Sequence, residues 1–250
     1  MSRRRPSPLA PFGPPRPDPS RRAFLAAGLR SAGLLALGGL ACDSARPRAG
    51  FLGAMERLNE RFERALFDPK RLAPELPEED DTAPEDFPAY KISRAFPAAP
   101  AGWALRVGGL VARPLLLSGA DLQRLPRTSV RVRHHCVEGW SAVASWQGAR
   151  LSEVARLAGA DPRARYVEFR SFDAGYWSSW DLESALHPQT ILAYGMNGAP
   201  LAMEYGAPLR LYSAVKLGYK MVKYLTEVSF LPERSGGYWE DQGYEWFAGV

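Results

Sequence analysis

Phe51, Met55, Leu58, Phe62 and Leu66 recur at three- and four-residue steps, with Glu56, Arg57, Glu60, Arg61, Glu63 and Arg64 between them. That is the period of an amphipathic helix, and it predicts one laid on the main body and ended by Asp68 and Pro69. Residues 74–88 are rich in Pro, Glu and Asp and predict an extended arm along the surface. From Trp103 the period drops to two. Trp103, Leu105 and Val107 predict a strand, Pro114 to Leu117 a second one, and Ser118 caps a short helix after it. Val130 and Val132 alternate into His134, so Cys136 falls where a strand leaves its sheet. Leu151 to Ala158 predicts a helix, Tyr166 to Phe172 a buried strand and Leu182 to Leu186 a helical turn. Leu209, Leu211 and Tyr212, and then Val222 to Phe230, predict two more strands. Strands and short helices mix without a regular βα repeat, so the expected class is α+β with mixed sheets.

The amino terminus follows a different pattern. Arg21 and Arg22 precede an apolar stretch that runs to Ala41 in Ala, Leu and Gly, interrupted by Arg30 and Ser31. This is the layout of an export signal, and it resembles the twin-arginine (Tat) type, whose translocon moves folded proteins. Cys42 closes the stretch, close to a lipoprotein processing site but without the leucine usual three places earlier. Acylation of Cys42 and simple cleavage nearby both stay open. After residue 41 no apolar run approaches the roughly 20 residues of a membrane span. The expected organisation is therefore an export signal over 1–42, a linker, helix and arm over 43–85, and one domain over 86–250, with a periplasmic location.

Charge first suggests, then excludes, a nucleic-acid partner. The 250-residue chain has a formal charge of +5 and a pI near 9.3. Seven of its 32 basic residues lie in 1–41 beside a single acidic one, which leaves 25 basic and 26 acidic side chains in the remainder. A near-neutral folded part offers no electrostatic footprint for nucleic acid.

Only Cys42 and Cys136 are cysteines, too few for a disulfide scaffold. Cys136 lies beside His134 and His135 with Arg131 and Arg133 nearby, a setting expected to favour thiolate. A closed zinc site would need three or four ligands, and besides these residues the chain offers only His187. A Cys/His hydrolase would need His187, which is followed by Pro188, brought to Cys136. A small buried thiol beside Trp140 is the plain alternative. Among the aromatic residues, Trp140 and Trp146 are expected in the core and Tyr176 to Trp180 along a pocket wall, with Asp173 and Asp181 solvated.

Several separated blocks narrow the choice. Cys136 Val137 Glu138 Gly139 Trp140 Ser141 is followed by Trp146, Gly148 and Leu151. Then come Tyr166 Val167 Glu168 Phe169, Leu186 His187 Pro188, Gly206 Ala207 Pro208 Leu209 Arg210 Leu211, and Lys216 Leu217 Gly218 Tyr219 Lys220 Met221 Val222 Lys223. In this order, from about Phe87 to the end, they resemble the molybdopterin-binding domain of the sulfite oxidase superfamily and, within it, the bacterial methionine sulfoxide reductase catalytic subunits. The resemblance implies a Mo-molybdopterin cofactor with Cys136 as the thiolate ligand of the metal. It also implies cofactor contacts from Tyr90, Ser171, Tyr205, Arg210, Met221, Val222 and Lys223. The activity implied is two-electron oxygen-atom transfer: reduction of a small S-oxide or N-oxide, or oxidation of a small sulfur compound. Without a CxxCH haem motif, electrons are expected to pass to or from a membrane haem subunit or a soluble cytochrome. Two positions depart from the reductase pattern: Tyr205 stands where asparagine is usual and Lys91 where glutamate is, which puts the substrate in question. A cofactor-free exported binding protein of the same fold is the competing expectation.

Overall fold

The structure, a computed structural model, describes residues 50–250 apart from Ala174. The expected export signal and Cys42 lie outside the described residues. Strict alternation governs β3 (Arg127–His135), which buries Val130, Val132 and His134 on one face; the period that sends two valines into the core also carries His134 there. β3 pairs antiparallel with β4 (Ser141–Arg150) in unbroken register, Arg127 opposite Ala149 and His135 opposite Ser141. β4 is buried along nearly its whole length, so it shows no alternation and its sequence does not announce a strand.

The second sheet runs β3, β4, β7 (Thr190–Met196), and the far edge of β7 is shared by β8 (Ala199–Pro200) and β9 (Arg210–Ser213). In the first sheet the order is β2 (Leu115–Leu117), β1 (Leu105–Gly109), β10 (Leu225–Leu231), β5 (Tyr166–Ser171), β6 (Trp177–Asp181). Only β1 and β10 run parallel. Both sheets feed one continuous core, with Val167, Phe169, Val228 and Phe230 from one and Val132, Trp146, Ile191 and Leu192 from the other. The mixed sheets and short helices are those of the α+β class. β10 begins at Leu225 rather than at the expected Val222, because Tyr224 sits at φ 56, outside the strand region. Met221 to Tyr224 form a connection instead, and this frees Lys223 from the sheet.

Short helices fill the joints. α1 (Phe51–Leu66) is followed by α2 (Gly119–Arg124), which Ser118 and Asp121 close with a reciprocal capping box. α3 (Leu151–Ala158) ends at Gly159 in the left-handed region. α4 (Leu182–Ala185) is capped by Asp181. Asp181 is buried rather than solvated: it accepts a hydrogen bond from the Ser184 N–H at 2.8 Å and pairs with Lys216 Nζ at 3.1 Å. Lys216 is equally buried, and Lys220 forms a second buried pair with Glu240.

α1 occupies the expected residues but faces the other way. Its polar side docks: Glu60 pairs with Arg234 at 2.7 Å, and the Arg64 guanidinium lies 5.6 Å from the Trp246 ring and 5.7 Å from that of Phe247. The surface beneath it presents aromatic faces and a guanidinium, which suit charged partners, so Phe51, Met55, Leu58, Phe62 and Leu66 are left exposed. The arm that follows is stitched to the second sheet. The Leu76 N–H donates to the Arg131 carbonyl, Thr82 exchanges two bonds with Val143, and Asp81 pairs with Arg131 at 3.0 Å. It ends by burying Phe87.

Removing one member of a buried ion pair strands the other charge, at a cost of about 3–5 kcal/mol. Asp181→Ala is expected to lower the unfolding free energy by that amount, read as a lower urea midpoint with an unchanged slope. Adding Lys216→Leu to it should recover most of the loss; an additive further loss would show that Lys216 is held by something other than its pairing.

Candidate functional site

The hairpin between β3 and β4 carries Cys136 at its first position. The Cys136 N–H donates to the Trp140 carbonyl at 3.0 Å, the Gly139 N–H returns to the Cys136 carbonyl at 3.1 Å, and Gly139 takes φ 90 to close the turn. The thiol thus sits at the rim of a cavity of about 310 Å³. His134, Trp140, Tyr176, Arg210, Lys223 and Tyr224 line it as well, together with Phe87, Tyr90 and Lys91 from the arm.

Arg210 and Lys223 give the cavity its character. Arg210 is buried and Lys223 half-buried, and among the described residues neither has a carboxylate within ion-pair distance; Arg210 donates to the Tyr205 carbonyl at 3.0 Å and Lys223 to the Glu204 carbonyl at 2.7 Å. Burial pushes Arg210 down to about 10, and burial followed by the Arg210 charge pushes Lys223 down to about 7. Gly206, at φ 110, lies between their stems, where a Cβ would stand 2.9 Å from the Lys223 Cβ and 3.2 Å from that of Arg210. The Arg210 guanidinium rests 4.7 Å from the centre of the Trp146 ring. Two residues of the lining each have a buried polar atom with no hydrogen-bond partner, His134 Nδ1 and the Tyr224 hydroxyl. Burial, and then the Arg210 charge, depress His134 to about 3, so its imidazole is neutral.

The expected thiolate-favouring field is not present. Burial raises the Cys136 pKa, and the Glu138 carboxylate, 4.0 Å from Sγ, adds to the rise. Arg131 is engaged by Asp81, Arg133 is exposed and His134 is neutral. A cation would have to come from outside the side chains, and a bound metal is one. His187 does not reach the thiol. It is buried elsewhere, its Nε2 3.0 Å from the Arg71 carbonyl oxygen, so the Cys/His pair of a hydrolase is not assembled.

Of the residues anticipated for the site, Cys136, Tyr90, Ser171, Tyr205, Arg210, Met221 and Lys223 all line the cavity. Val222 does not; its side chain is in the core. Ser171 accepts a hydrogen bond from the Asp173 N–H at 2.9 Å, and Asp173 is buried beside the cavity rather than solvated. The Tyr205 hydroxyl lies 3.2 Å from the carbonyl oxygens of Pro84 and Phe87, tying the arm down. Trp140, expected in the core, lines the cavity, stacked on Tyr90 with ring centres 6.1 Å apart. Of the run Tyr176 to Trp180 only Tyr176 lines the cavity; Trp180 is core. His134, Glu138, Tyr219, Trp239 and Tyr244 were not anticipated as lining residues. Alternation in β3 could have found His134, whereas nothing in the pattern points to Trp239 or Tyr244.

Residues 93–239 match the family model described as the oxidoreductase molybdopterin binding domain. This chain belongs to that family. It is a molybdopterin-dependent oxidoreductase of the sulfite oxidase and methionine sulfoxide reductase type, and its cofactor is Mo-molybdopterin. It is 41% identical over 232 residues to a putative protein-methionine-sulfoxide reductase subunit of Azospira oryzae, covering 92% of this chain and 88% of that one. It is 34% identical to the protein-methionine-sulfoxide reductase catalytic subunit of Xanthomonas axonopodis pv. citri, over 56% of this chain and 48% of the relative, so it spans about half of that protein's length. Among solved structures, the sulfane dehydrogenase SoxCD of Paracoccus pantotrophus aligns with a TM-score of 0.50 at 25% identity, over 52% of this chain and 38% of that one.

The residues present fit the cofactor. Cys136 is a soft donor at the rim, Arg210 and Lys223 are cations of the lining without an ion-pair partner among the described residues, and His134 Nδ1 and the Tyr224 hydroxyl are buried polar atoms left without a partner.

The depressed Lys223 pKa fixes the sign of a pH effect. Between about 7 and the ordinary value of 10.5 the folded state binds fewer protons than the unfolded. Charged Lys223 is therefore a cost, fully present below pH 7 and relieved as pH rises through that window. A bound anion offsets that cost. Pyrophosphate should raise the melting temperature of cofactor-free protein more at pH 6 than at pH 9, and Lys223→Met should erase the difference. Equal shifts at both pH values would contradict the assignment.

Proposed function

We propose that this chain reduces an S-oxide by two-electron oxygen-atom transfer at a molybdenum ligated by Cys136, R2SO with two electrons and two protons giving R2S and water. The observation that carries the reading is the pairing of one soft thiol at the rim with two cations that line the same cavity without an ion-pair partner among the described residues. In the proposed arrangement Arg210 and Lys223 hold the cofactor phosphate, while Tyr90, Ser171, Tyr205, His134 and Tyr224 offer polar contacts and Met221 and Val222 contribute backbone. The bound cofactor supplies the two-electron couple against which an oxygen atom is exchanged. The protein's part is to orient and enclose. Trp140 and Tyr90 present apolar faces beside Cys136, suited to the alkyl groups of a sulfoxide. The Glu138 carboxylate, held below its ordinary range by hydrogen bonds from Tyr90 and Trp140, stays ionised and fixes both rings.

S-oxide reduction is favoured by the names of the Azospira and Xanthomonas relatives. The opposite direction, oxidation of a reduced sulfur compound, draws on the likeness to a sulfane dehydrogenase, which is the more distant of the two. Electrons are proposed to come from a separate haem protein, a membrane subunit or a soluble cytochrome. Residues 1–42 are proposed as a twin-arginine export signal that delivers a folded, loaded enzyme to the periplasm, where acylation at Cys42, in place of simple cleavage, would add a tether; 43–85 are proposed as the linker, helix and arm, and 86–250 as the catalytic domain.

Protein from a host that makes the cofactor is expected to carry about one molybdenum per chain and to oxidise reduced viologen when methionine sulfoxide is added. Cys136→Ser, which exchanges a soft donor for a hard one, should abolish turnover while the fold persists by circular dichroism. Absence of molybdenum from active protein would overturn the reading. Turnover only with a reduced sulfur compound and an electron acceptor would reverse its direction.

A further inference from the structure

α1 holds an apolar stripe that the rest of the described chain does not cover. Phe51 is 76% exposed, Phe62 61% and Leu66 82%, with Met55 and Leu58 between them on the same face. Over Phe51 to Leu66 the stripe is roughly 22 Å long. Singly exposed apolar residues are ordinary, but five large ones in register on one helix are not. The helix is not loose, because its opposite side is fixed by the Glu60 to Arg234 ion pair and by Arg64 over two aromatic rings. The fold therefore presents this stripe outward.

We propose that α1 is an interfacial helix that lays its stripe into the surface of a lipid bilayer carrying anionic headgroups. Two further observations choose lipid over other occupants. Only eight residues separate Cys42, where the apolar stretch 23–41 ends, from Phe51; they reach at most about 30 Å. A bilayer that holds that stretch before processing, or an acyl group on Cys42, is thus brought within reach of the helix, a step that rests on the proposed reading of residues 1–42. The charges around the stripe also suit such a surface. Arg57 and Arg61, one turn apart, are exposed beside it with no ion-pair partner among the described residues, and Arg46 and Arg48 occur in the preceding linker. A stripe of Phe, Leu and Met with arginines along its flank is the composition of a helix lying in the headgroup region, and 16 residues are too few to cross it. Docked this way, the catalytic domain would be held against the membrane at a second point, with its orientation fixed as well as its distance.

The test uses the full chain with its cofactor, reconstituted with vesicles of phosphatidylethanolamine and phosphatidylglycerol, and with Phe62 replaced by the photoreactive p-benzoylphenylalanine. Illumination is expected to give a phospholipid adduct by mass spectrometry. The same probe at Leu116, equally exposed but on β2, should give none. Met55→Glu combined with Leu58→Glu should lower the adduct yield about tenfold or more, the factor set by burying one such side chain, while viologen-dependent turnover is unchanged. A crosslinked dimer would assign the stripe to a second copy, and an adduct within the same chain to residues 1–49; either overturns the proposal, as does lack of any adduct.

Discussion

Two positive charges share one cavity of this protein with no carboxylate in direct contact with either. Arg210, buried, and Lys223, half-buried, line the same cavity, and what offsets them in the chain itself is modest: backbone carbonyls, the more distant carboxylates of Asp173 and Glu204, and the faces of Trp146 and Tyr212 beneath the guanidinium. Transfer of a cation out of water is expensive unless it is paired, and the depression of both pKa values expresses that expense. The local backbone is arranged to keep them there. Gly206 leaves room between their stems, and the left-handed Tyr224 ends the connection that releases Lys223 from β10. A fold that maintains such an arrangement is built for an anion, and the molybdopterin phosphate is the one its family provides.

The contrast with the other buried lysines sharpens this. Lys216 and Lys220 are buried more deeply than Lys223, and each has a carboxylate, Asp181 and Glu240. They brace the C-terminal segment against β6 and serve the fold. Lys223, a few residues on, has none. One short stretch of chain thus supplies both structural and ligand-directed cations, and only the partner distinguishes them.

Phe87 joins the arm to the site. Its ring packs edge-on against Trp140, Trp146 and Tyr205, and the Tyr205 hydroxyl bonds the carbonyl oxygens of Pro84 and Phe87. The departure from asparagine at position 205 thereby acquires a physical role: the tyrosine clamps the segment that brings Tyr90 and Lys91 to the cavity wall. Lys91, the other departure, lies over Phe96, its Nζ 4.1 Å from the ring centre, so its charge borders the pocket where a carboxylate is usual.

Local pattern was enough for much of this. The period-two run ending at Cys136 placed the thiol at a strand exit, the Ser118 cap and the α3 residues lie where the sequence predicts them, and the blocks from Cys136 to Lys223 pointed to the family and its cofactor. These features are local because alternation, capping and motif spacing are properties of a few consecutive residues. What only the tertiary structure decided depends on neighbours remote in the chain. β4 was invisible because both of its faces are buried, which removes the alternation that marks a strand. The direction of α1 could not be read from its stripe, since the surface it docks on, with Arg234, Trp246 and Phe247, is assembled from the far end of the sequence. The thiolate-favouring field expected at Cys136 dissolved for the same reason: Arg131 is taken by Asp81, and burial neutralises His134. Adjacency in sequence indicates which charges are present, but burial and pairing determine which of them remain available to a ligand.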